Sequence, residues 1–355
     1  MRITDIRTKT IITPLKKIFK TALRSVDEIE NICVFIETDT GVTGLGCAVP
    51  TAVITGETAM SIKGAVKNIY ENLSGLDVRD FEIVMQRLHS CMVGNNSAKA
   101  AVDMALYDII GKFYKTPLYR FLGGDAKRLE TDMTVSIGTL EEMAFDAREV
   151  VKNGFNILKL KVGIDPDFDV KRLKAVRRAV GPEIRLRIDA NQGWSPKEAV
   201  FFMERIAREN ICIDLLEQPV HAKDYKGMKF VRDNTDVPVY ADESVFSPRD
   251  AMEIIHMDAV DGINIKLMKC GGIYNALKIV AIAESAGIGC MIGSMMESHI
   301  GVTAAAHLAA AKKSITGYDL DAPLFVKENP AQGGITYNAS AITLPDLPGL
   351  GVHSL

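Results

Sequence analysis

The sequence lacks several features that would assign it to particular classes of protein. Its 355 residues contain no apolar run of about 18 residues free of charge, so we expect no membrane-spanning helix. The net charge of −3 leaves no basic excess for nucleic acid or an anionic membrane. The start has no signal-peptide pattern, and the six cysteines form no CxxC pair. We therefore expect a cytoplasmic protein with free thiols and without nucleic-acid or membrane partners.

The length exceeds what one simple core needs and predicts two domains. Residues 1–55 alternate like strands around a hairpin signal at Asp39-Thr40-Gly41, and residues 56–121 have the apolar rhythm of helices. The break at Leu122-Gly123-Gly124 leads us to place an α+β domain at 1–122. A second domain would span 123–321, and the Pro- and Gly-rich residues 322–355 would return to the first.

Strand-like and helix-like segments alternate through the second domain. Two of the amphipathic segments, near 196–209 and 247–257, open with Ser-Pro, a helix start signal. Eight strands in this alternation favour a closed parallel barrel, and a doubly wound sheet is the alternative. The predicted strands start near Thr131, Ile157, Ile184, Ile213, Val239, Gly262, Gly289 and Ser314.

Acidic residues end three successive apolar runs, at Asp189, Glu217 and Asp242. Carboxylates that converge at one mouth of a barrel repel each other unless a cation lies among them. Oxygen ligands on rigid strands suit Mg²⁺, with substrate and water completing the octahedron. The pattern therefore predicts a magnesium site, with Asn191 and Glu243 beside its ligands.

Three lysines flank these acids. Lys159 and Lys161 share one face of their strand, which must point toward the barrel axis because helices cover the apolar face. We expect two neighbouring ammonium groups to lower each other's pKa. Lys266 lies four strands later, on the opposite side of an eight-stranded barrel. Lys161 and Lys266 are the predicted pair of bases, and Lys269, in the loop that follows, is the weaker candidate.

Further acids close the last two strands. Asp319 and Asp321 end the eighth strand on one face and would bind a second cation or a substrate ammonium group. Glu297, at the end of the seventh, is expected to bond to Lys266 or to line the pocket. Cys270 has no base placed to activate it as a nucleophile, and the histidines form no cluster with metal-ligand spacing.

As a set, these motifs resemble the enolase superfamily in its muconate-lactonising subgroup. The markers, in order along essentially the whole chain, are Lys159-Leu160-Lys161, Asp189-Ala190-Asn191, Glu217-Gln218-Pro219, Asp242-Glu243-Ser244 and Lys266-Leu267-Met268-Lys269-Cys270-Gly271-Gly272. The resemblance implies a (β/α)7β modified TIM barrel with an N-terminal α+β capping domain. It also implies the superfamily's chemistry, in which a lysine or histidine base works with Mg²⁺ that stabilises an enediolate.

Within the superfamily, the chain looks most like dipeptide epimerases that act on L-Ala-D/L-Glu. In those enzymes, acids matching Asp319 and Asp321 hold the ammonium group of the dipeptide, and an arginine matching Arg24 pairs with the glutamate side chain. Lys159 would bind the substrate carboxylate. One departure is Cys47, since an acidic residue commonly follows the glycine at this point. The implied partner is a small dipeptide, with a possible homo-oligomer, and the implied setting is recycling of cell-wall peptides.

Two other readings stay open from the sequence. Cycloisomerases and o-succinylbenzoate synthase-like lyases use the same lysines and metal, but their substrates carry no free amine for Asp319 and Asp321. A non-catalytic binding protein on the same fold would have no reason to keep so many buried charges.

Overall fold

The computed structural model describes residues 1–125 and 128–355. Its N-terminal part is an antiparallel three-stranded sheet covered by helices. The sheet contains β1 (Ile3–Lys20), β2 (Ser25–Thr38) and β3 (Thr43–Ala48), with the predicted hairpin turn between the last two. The helices are α1 (Ala59–Leu73), α2 (Phe81–Ser90), α3 (Asn96–Phe113) and α4 (Leu118–Phe121).

Helix α3 lies directly against this sheet because two residues of β3 lack side chains. A Cβ added to Gly44 would lie 2.1 Å from the carbonyl oxygen of Ala105, and one on Gly46 would lie 1.8 Å from that of Ala101. Any larger residue would push the helix away. The close contact leaves α3 buried along nearly its whole length, between the sheet and the rest of the chain.

The second part is an eight-stranded sheet whose paired strands are all parallel, in the order of the chain. The strands are β5 (Met133–Val135), β6 (Ile157–Lys161), β7 (Arg185–Asp189), β8 (Leu215–Glu217), β9 (Val239–Ala241), β10 (Gly262–Lys266), β11 (Gly289–Gly293) and β12 (Ile315–Asp319), preceded by the short β4 (Leu129–Glu130). The first and last strands meet where Asp132 N–H donates to Tyr318 O at 3.2 Å. The predicted barrel is therefore confirmed, and each predicted strand start lies within two residues of the observed one.

Helices follow the strands and cover the outside of the barrel. They are α5 (Leu140–Lys152), α6 (Pro166–Val180), α7 (Pro196–Arg208), α8 (Tyr225–Asp233), α9 (Pro248–His256), α10 (Leu267–Cys270), α11 (Ile273–Ala286) and α12 (His299–Ala311). Ser195 and Ser247 cap α7 and α9, each accepting a hydrogen bond from a backbone N–H three residues on. Both predicted Ser-Pro helix starts are therefore confirmed.

The last 34 residues contact both parts of the molecule. After a 3₁₀ turn at Ala322–Leu324, they form β13 (Gln332–Gly333), β14 (Thr336–Asn338), β15 (Ala341–Thr343) and β16 (Val352–Ser354). Strand β15 pairs with β4, whereas Leu118 N–H donates to Gly349 O at 2.8 Å and Lys16 N–H donates to Phe325 O at 2.8 Å. These contacts agree with a segment that returns to the N-terminal part. The two boundaries between these three segments stay predictions.

Among the described residues, no helix is long and apolar enough to cross a membrane.

Candidate active site

Three carboxylates meet at the carboxyl ends of adjacent barrel strands. Asp189 is the last residue of β7, Glu217 is the last of β8, and Asp242 directly follows β9. Strand register places Asp189 opposite Glu217, and all three side chains are buried. One oxygen from each lies within 4.8 Å of the others. The structure therefore brings together the three predicted metal ligands.

The donor set fits a magnesium ion. All three ligands are oxygen atoms on rigid strand ends, the type of site that Mg²⁺ uses. In the described parts of the chain, Glu217 Oε2 and Asp242 Oδ1 are buried and accept no hydrogen bond, although each lies within ion-pair distance of a lysine. Burial and the neighbouring Asp189 raise the pKa of Glu217 to about 7. A divalent cation would coordinate these oxygens and relieve the repulsion between the carboxylates.

Lys159 lies deepest in the site, among acids from three strands. Its Nζ is 2.7 Å from Asp319 Oδ2, 2.9 Å from Glu217 Oε2 and 3.0 Å from Asp189 Oδ2. Burial disfavours its charge, but these carboxylates raise the pKa of Lys159 well above its usual range. The expectation that paired lysines would lower each other's pKa is therefore wrong for Lys159, because each ammonium group lies against acids.

The two predicted bases lie on opposite sides of the carboxylates. Lys161 ends β6 and donates to Asp189 Oδ2 at 2.6 Å, while Lys266 ends β10 and donates to Asp242 Oδ2 at 2.7 Å. Three strands, β7 to β9, separate them on one side of the barrel. Burial is the largest single effect and acts against the charge of Lys266, but Asp242, Glu217 and Asp319 together raise the Lys266 pKa above its usual range.

A second group of buried acids lies where the barrel closes. Oxygens of Asp132, Asp319 and Asp321 lie within 4.8 Å of one another. Arg187 donates to Asp132 Oδ2 at 2.7 Å, and the N–H of Thr134 donates to Asp321 Oδ2 at 2.6 Å. Burial and Asp319 raise the pKa of Asp321 to about 7. Within this group, three acids face two cationic side chains, Lys159 and Arg187, so the group favours one more positive charge.

One pocket connects the lysines, the second acid group and the N-terminal sheet. It encloses about 470 Å³, including space open to solvent, a size usual for small-molecule sites of roughly 300–1,000 Å³. The barrel contributes the floor, and the end of β1 together with the loops after β1 and β3 contributes the roof. The floor residues are Thr134, Lys161, Asn191, Lys266, Ser294, Met295, Met296, Asp319 and Asp321, and the roof residues are Phe19, Thr21, Arg24 and Ile54.

Arg24 brings a half-buried positive charge into the roof of this pocket. Burial lowers the pKa of its guanidinium group. Its backbone is held by Thr21, whose N–H donates to Arg24 O at 2.9 Å. Throughout residues 1–125 and 128–355, no carboxylate lies within ion-pair distance of this guanidinium group. The pocket therefore holds an unpaired cation opposite its acidic floor.

Asn191 connects the floor to a further buried acid. Its N–H donates to Asp189 Oδ1 at 2.9 Å, and its side-chain amide donates to Glu243 Oε1 at 3.1 Å. Burial, Asp242 and Asp189 raise the pKa of Glu243 to about 8. Asn191 and Glu243 thus lie beside the candidate ligands, where the sequence places them.

Two sequence predictions need correction. Glu297 does not reach the pocket between the lysines, because its Oε1 accepts from Met295 N–H at 2.9 Å and its side chain lines a neighbouring cavity. No bond joins it to Lys266 in the described chain, and its part in substrate binding stays a prediction that this position does not support. Lys269 lies in helix α10 rather than a loop, is fully buried, and does not line the pocket.

Sequence reasoning missed Asp132, Arg187 and Thr134. Arg187 shares a strand face with Asp189, so the two-residue period could have placed it inside the barrel. Asp132 precedes its strand and Thr134 acts through its backbone, and neither carries a comparable signal.

Comparisons with known proteins agree with this geometry. Residues 4–123 match the mandelate racemase/muconate lactonizing enzyme N-terminal domain, and residues 142–354 match the family described as enolase C-terminal domain-like. The L-Ala-D/L-Glu epimerase of Clostridium acetobutylicum is 51% identical over 100% of this chain and 99% of its own.

Two solved structures are also similar. A substrate-liganded complex of the L-Ala-D/L-Glu epimerase from Bacillus subtilis has a TM-score of 0.98 at 48% identity, covering 100% of this chain and 99% of its own. A dipeptide epimerase from Enterococcus faecalis, complexed with Mg and L-Leu-L-Tyr, has a TM-score of 0.97 at 42% identity, covering 100% of both chains. The chain therefore belongs to the mandelate racemase/muconate lactonizing enzyme family of the enolase superfamily.

Proposed function

We propose that this protein is a magnesium-dependent dipeptide epimerase that interconverts L-Ala-D-Glu and L-Ala-L-Glu. The single observation that carries the proposal is the position of Lys161 and Lys266 on opposite sides of three convergent carboxylates, in one pocket. Two relatives described as L-Ala-D/L-Glu epimerases, at 51% and 49% identity, support the assignment.

The reaction requires removal of a proton from the carbon next to a carboxylate. When bound by Asp189, Glu217 and Asp242, Mg²⁺ would supply positive charge for the substrate carboxylate as a second negative charge develops there. Lys159, between these ligands and Asp319, adds a fixed ammonium group on the same side.

The two pocket lysines carry the proton transfers. The Nζ of one lysine, in its neutral form, takes the α-proton and leaves an enediolate. The Nζ of the other, in its ammonium form, delivers a proton to the opposite face of the same carbon. The lysines exchange roles for the two epimers, so the scheme is reversible, and proton exchange with solvent returns both lysines to their starting protonation states after a turnover.

The second acid group would hold the free amine of the dipeptide. Asp319 and Asp321 line the pocket, and their surroundings favour one more positive charge. An ammonium group bound there fixes the distance from the N-terminus to the reacting carbon, which lies between the lysines. This arrangement favours a dipeptide over the amine-free substrates of cycloisomerases and o-succinylbenzoate synthases.

Arg24 would select an acidic C-terminal residue. The guanidinium group lies in the pocket roof with no carboxylate partner among the described residues, and it would form a charge-assisted pair with the glutamate side chain. The scaffold alone does not fix this preference, because the Enterococcus faecalis relative is described with L-Leu-L-Tyr.

The test is an assay of the purified protein against a small dipeptide library and against succinylbenzoate precursors. We expect the α-proton of glutamate in Ala-Glu to exchange with solvent deuterium as the two epimers interconvert, and we expect EDTA to abolish this. Turnover of the succinylbenzoate precursor with no action on dipeptides would replace the proposal with the lyase alternative.

The remaining parts of the proposal concern setting. We propose a cytoplasmic location, because all six cysteines are free. A role in recycling cell-wall peptides and assembly into a homo-oligomer stay predictions. Size-exclusion chromatography with light scattering tests the second.

A further inference from the structure

Lys269 is a buried charge that the proposed reaction does not use. It lies in α10, three residues after the candidate base Lys266, and its side chain is 1% exposed. Because it does not line the pocket, it has no route to a substrate proton. A fully buried ammonium group is costly unless its surroundings compensate it, so its partners indicate what it does.

The close partners of the Lys269 ammonium group belong to two neighbouring barrel strands, β9 and β10. Its Nζ donates to the backbone carbonyl of Asp242, which follows β9, and to that of Asn264 in β10 at 3.0 Å. The same Nζ lies 2.7 Å from Asp242 Oδ1. The ammonium group thus donates two hydrogen bonds to backbone carbonyls and lies within ion-pair distance of one carboxylate.

Asp242 is therefore held by two lysines with different surroundings. Lys266 contacts Oδ2 and faces the pocket, whereas Lys269 contacts Oδ1 and the backbone from behind. Strand pairing between β9 and β10 ends at Ala241 and Ile263, and Lys269 adds hydrogen bonds that join the carbonyl of Asp242 to that of Asn264 in the strand that carries Lys266. Its ammonium group therefore helps to fix the position of a candidate metal ligand relative to the strand of a candidate base.

The backbone of Lys269 is fixed in turn by the N-terminal part of the molecule. The side-chain amide of Asn96, the first residue of α3, donates to Lys269 O at 2.5 Å. Hydrogen bonds through Lys269 therefore connect helix α3 of the N-terminal part to Asp242 at the candidate metal site.

We propose that Lys269 is a positioning residue, which fixes Asp242 for metal binding and sets its distance from Lys266. The proposal rests on the assignment of Asp242 as a metal ligand within the proposed function. The proposal predicts that loss of Lys269 changes the affinity for a cation in the direction opposite to that expected from charge alone. Removing a positive charge beside a carboxylate should strengthen cation binding, whereas removing a positioning group should weaken it.

The experiment measures Mn²⁺ binding directly, by the EPR signal of free Mn²⁺, without substrate or turnover. We expect Lys269→Met to weaken binding by roughly tenfold to a hundredfold, the usual effect of losing a group that orients a ligand. Lys266→Met is the matched control, since it removes a cation from the same carboxylate, and we expect it to bind Mn²⁺ as tightly as wild type or more tightly.

Two further variants complete the test. Lys269→Gln keeps hydrogen-bond donors without the charge and should bind Mn²⁺ more tightly than Lys269→Met. Asn96→Ala leaves the buried charge in place and should weaken binding severalfold, so it serves if the Lys269 variants do not fold.

Tighter Mn²⁺ binding in both Lys269→Met and Lys266→Met would overturn the proposal, since Lys269 would then act only as a charge. Unchanged binding with a lower melting temperature would also overturn it, since the role would be structural. Because no substrate is present, a wild-type protein that binds Mn²⁺ but epimerises no dipeptide would remove the proposed function and leave this proposal standing.

Discussion

The floor and the roof of the pocket are built on different physical principles. Every charged group of the floor is buried and hydrogen-bonded, at or just beyond strand ends that the barrel holds in register. The roof consists of loops from the first sheet and carries one charge, Arg24, which has no acidic partner among the described residues. The comparison indicates that the floor determines the reaction and the roof determines which substrate undergoes it.

The largest expected effect comes from removing the metal or one of its ligands. Asp242→Asn, or treatment of the wild type with EDTA, should reduce turnover to background, because the second negative charge of the intermediate then lacks its main counter-charge. Turnover of Ala-Glu by polarimetry is the measurement, and added Mg²⁺ should restore only the EDTA-treated wild type. Asp167→Asn, at an exposed ion pair with Arg205, is the control. Full activity without metal would refute the assignment of Asp189, Glu217 and Asp242 as metal ligands.

Replacing either base should have the next largest effect. We expect Lys161→Ala and Lys266→Ala each to lower the rate of epimerisation by on the order of 10²–10⁴-fold, because each face of the carbon needs its own proton carrier. Lys174→Ala, at a partly exposed ion pair, should leave the rate unchanged. Unimpaired epimerisation in either of the first two variants would remove that lysine from the scheme.

A roof substitution should change selectivity and leave the chemistry intact. Arg24→Met should lower kcat/KM for Ala-Glu by about tenfold to a hundredfold, as expected for loss of a charge-assisted hydrogen bond of about 1.5–3 kcal/mol. The kcat/KM for Ala-Leu should stay the same or rise. Arg24→Lys, which keeps the charge, should retain part of the preference. If the ratio of the two substrates did not change in Arg24→Met, the roof would not select the acidic side chain.

The smallest effect concerns the stability of the contact between the two parts of the molecule. His307 of α12 accepts from Tyr119 N–H at 3.0 Å and lies 3.3 Å from Leu350 O. Burial lowers the pKa of His307 to about 4. Below about pH 6.5 the unfolded chain binds a proton that the folded protein does not, so stability falls as the pH drops toward 4.

Urea unfolding at pH 7.5 and pH 5 measures this effect. The wild type should lose about 2 kcal/mol more over this interval than His307→Gln, which cannot take up the proton. An equal loss in both proteins would show that His307 does not cause the pH dependence.

The positions of the charged residues at the carboxyl end of the barrel are predictable from the sequence because a barrel repeats. The strand period alone places Asp189, Glu217, Asp242, Lys161 and Lys266 at one end of one sheet. Glu297 was misplaced because it follows β11 by several residues, and beyond a strand end the period no longer determines where a side chain points. The roof has no such period, and only the resemblance of the chain to dipeptide epimerases indicates Arg24 as a substrate-binding residue. The Asp132–Arg187 pair was missed because it depends on how the first and last strands close the barrel.

The most direct test of the central claim is deuterium incorporation into pure L-Ala-L-Glu and pure L-Ala-D-Glu, followed by NMR in D₂O. If Lys161 and Lys266 act on opposite faces, Lys161→Ala should exchange the α-proton of only one epimer, and Lys266→Ala that of only the other. Exchange of both epimers by either variant, or of the same epimer by both, would contradict the account.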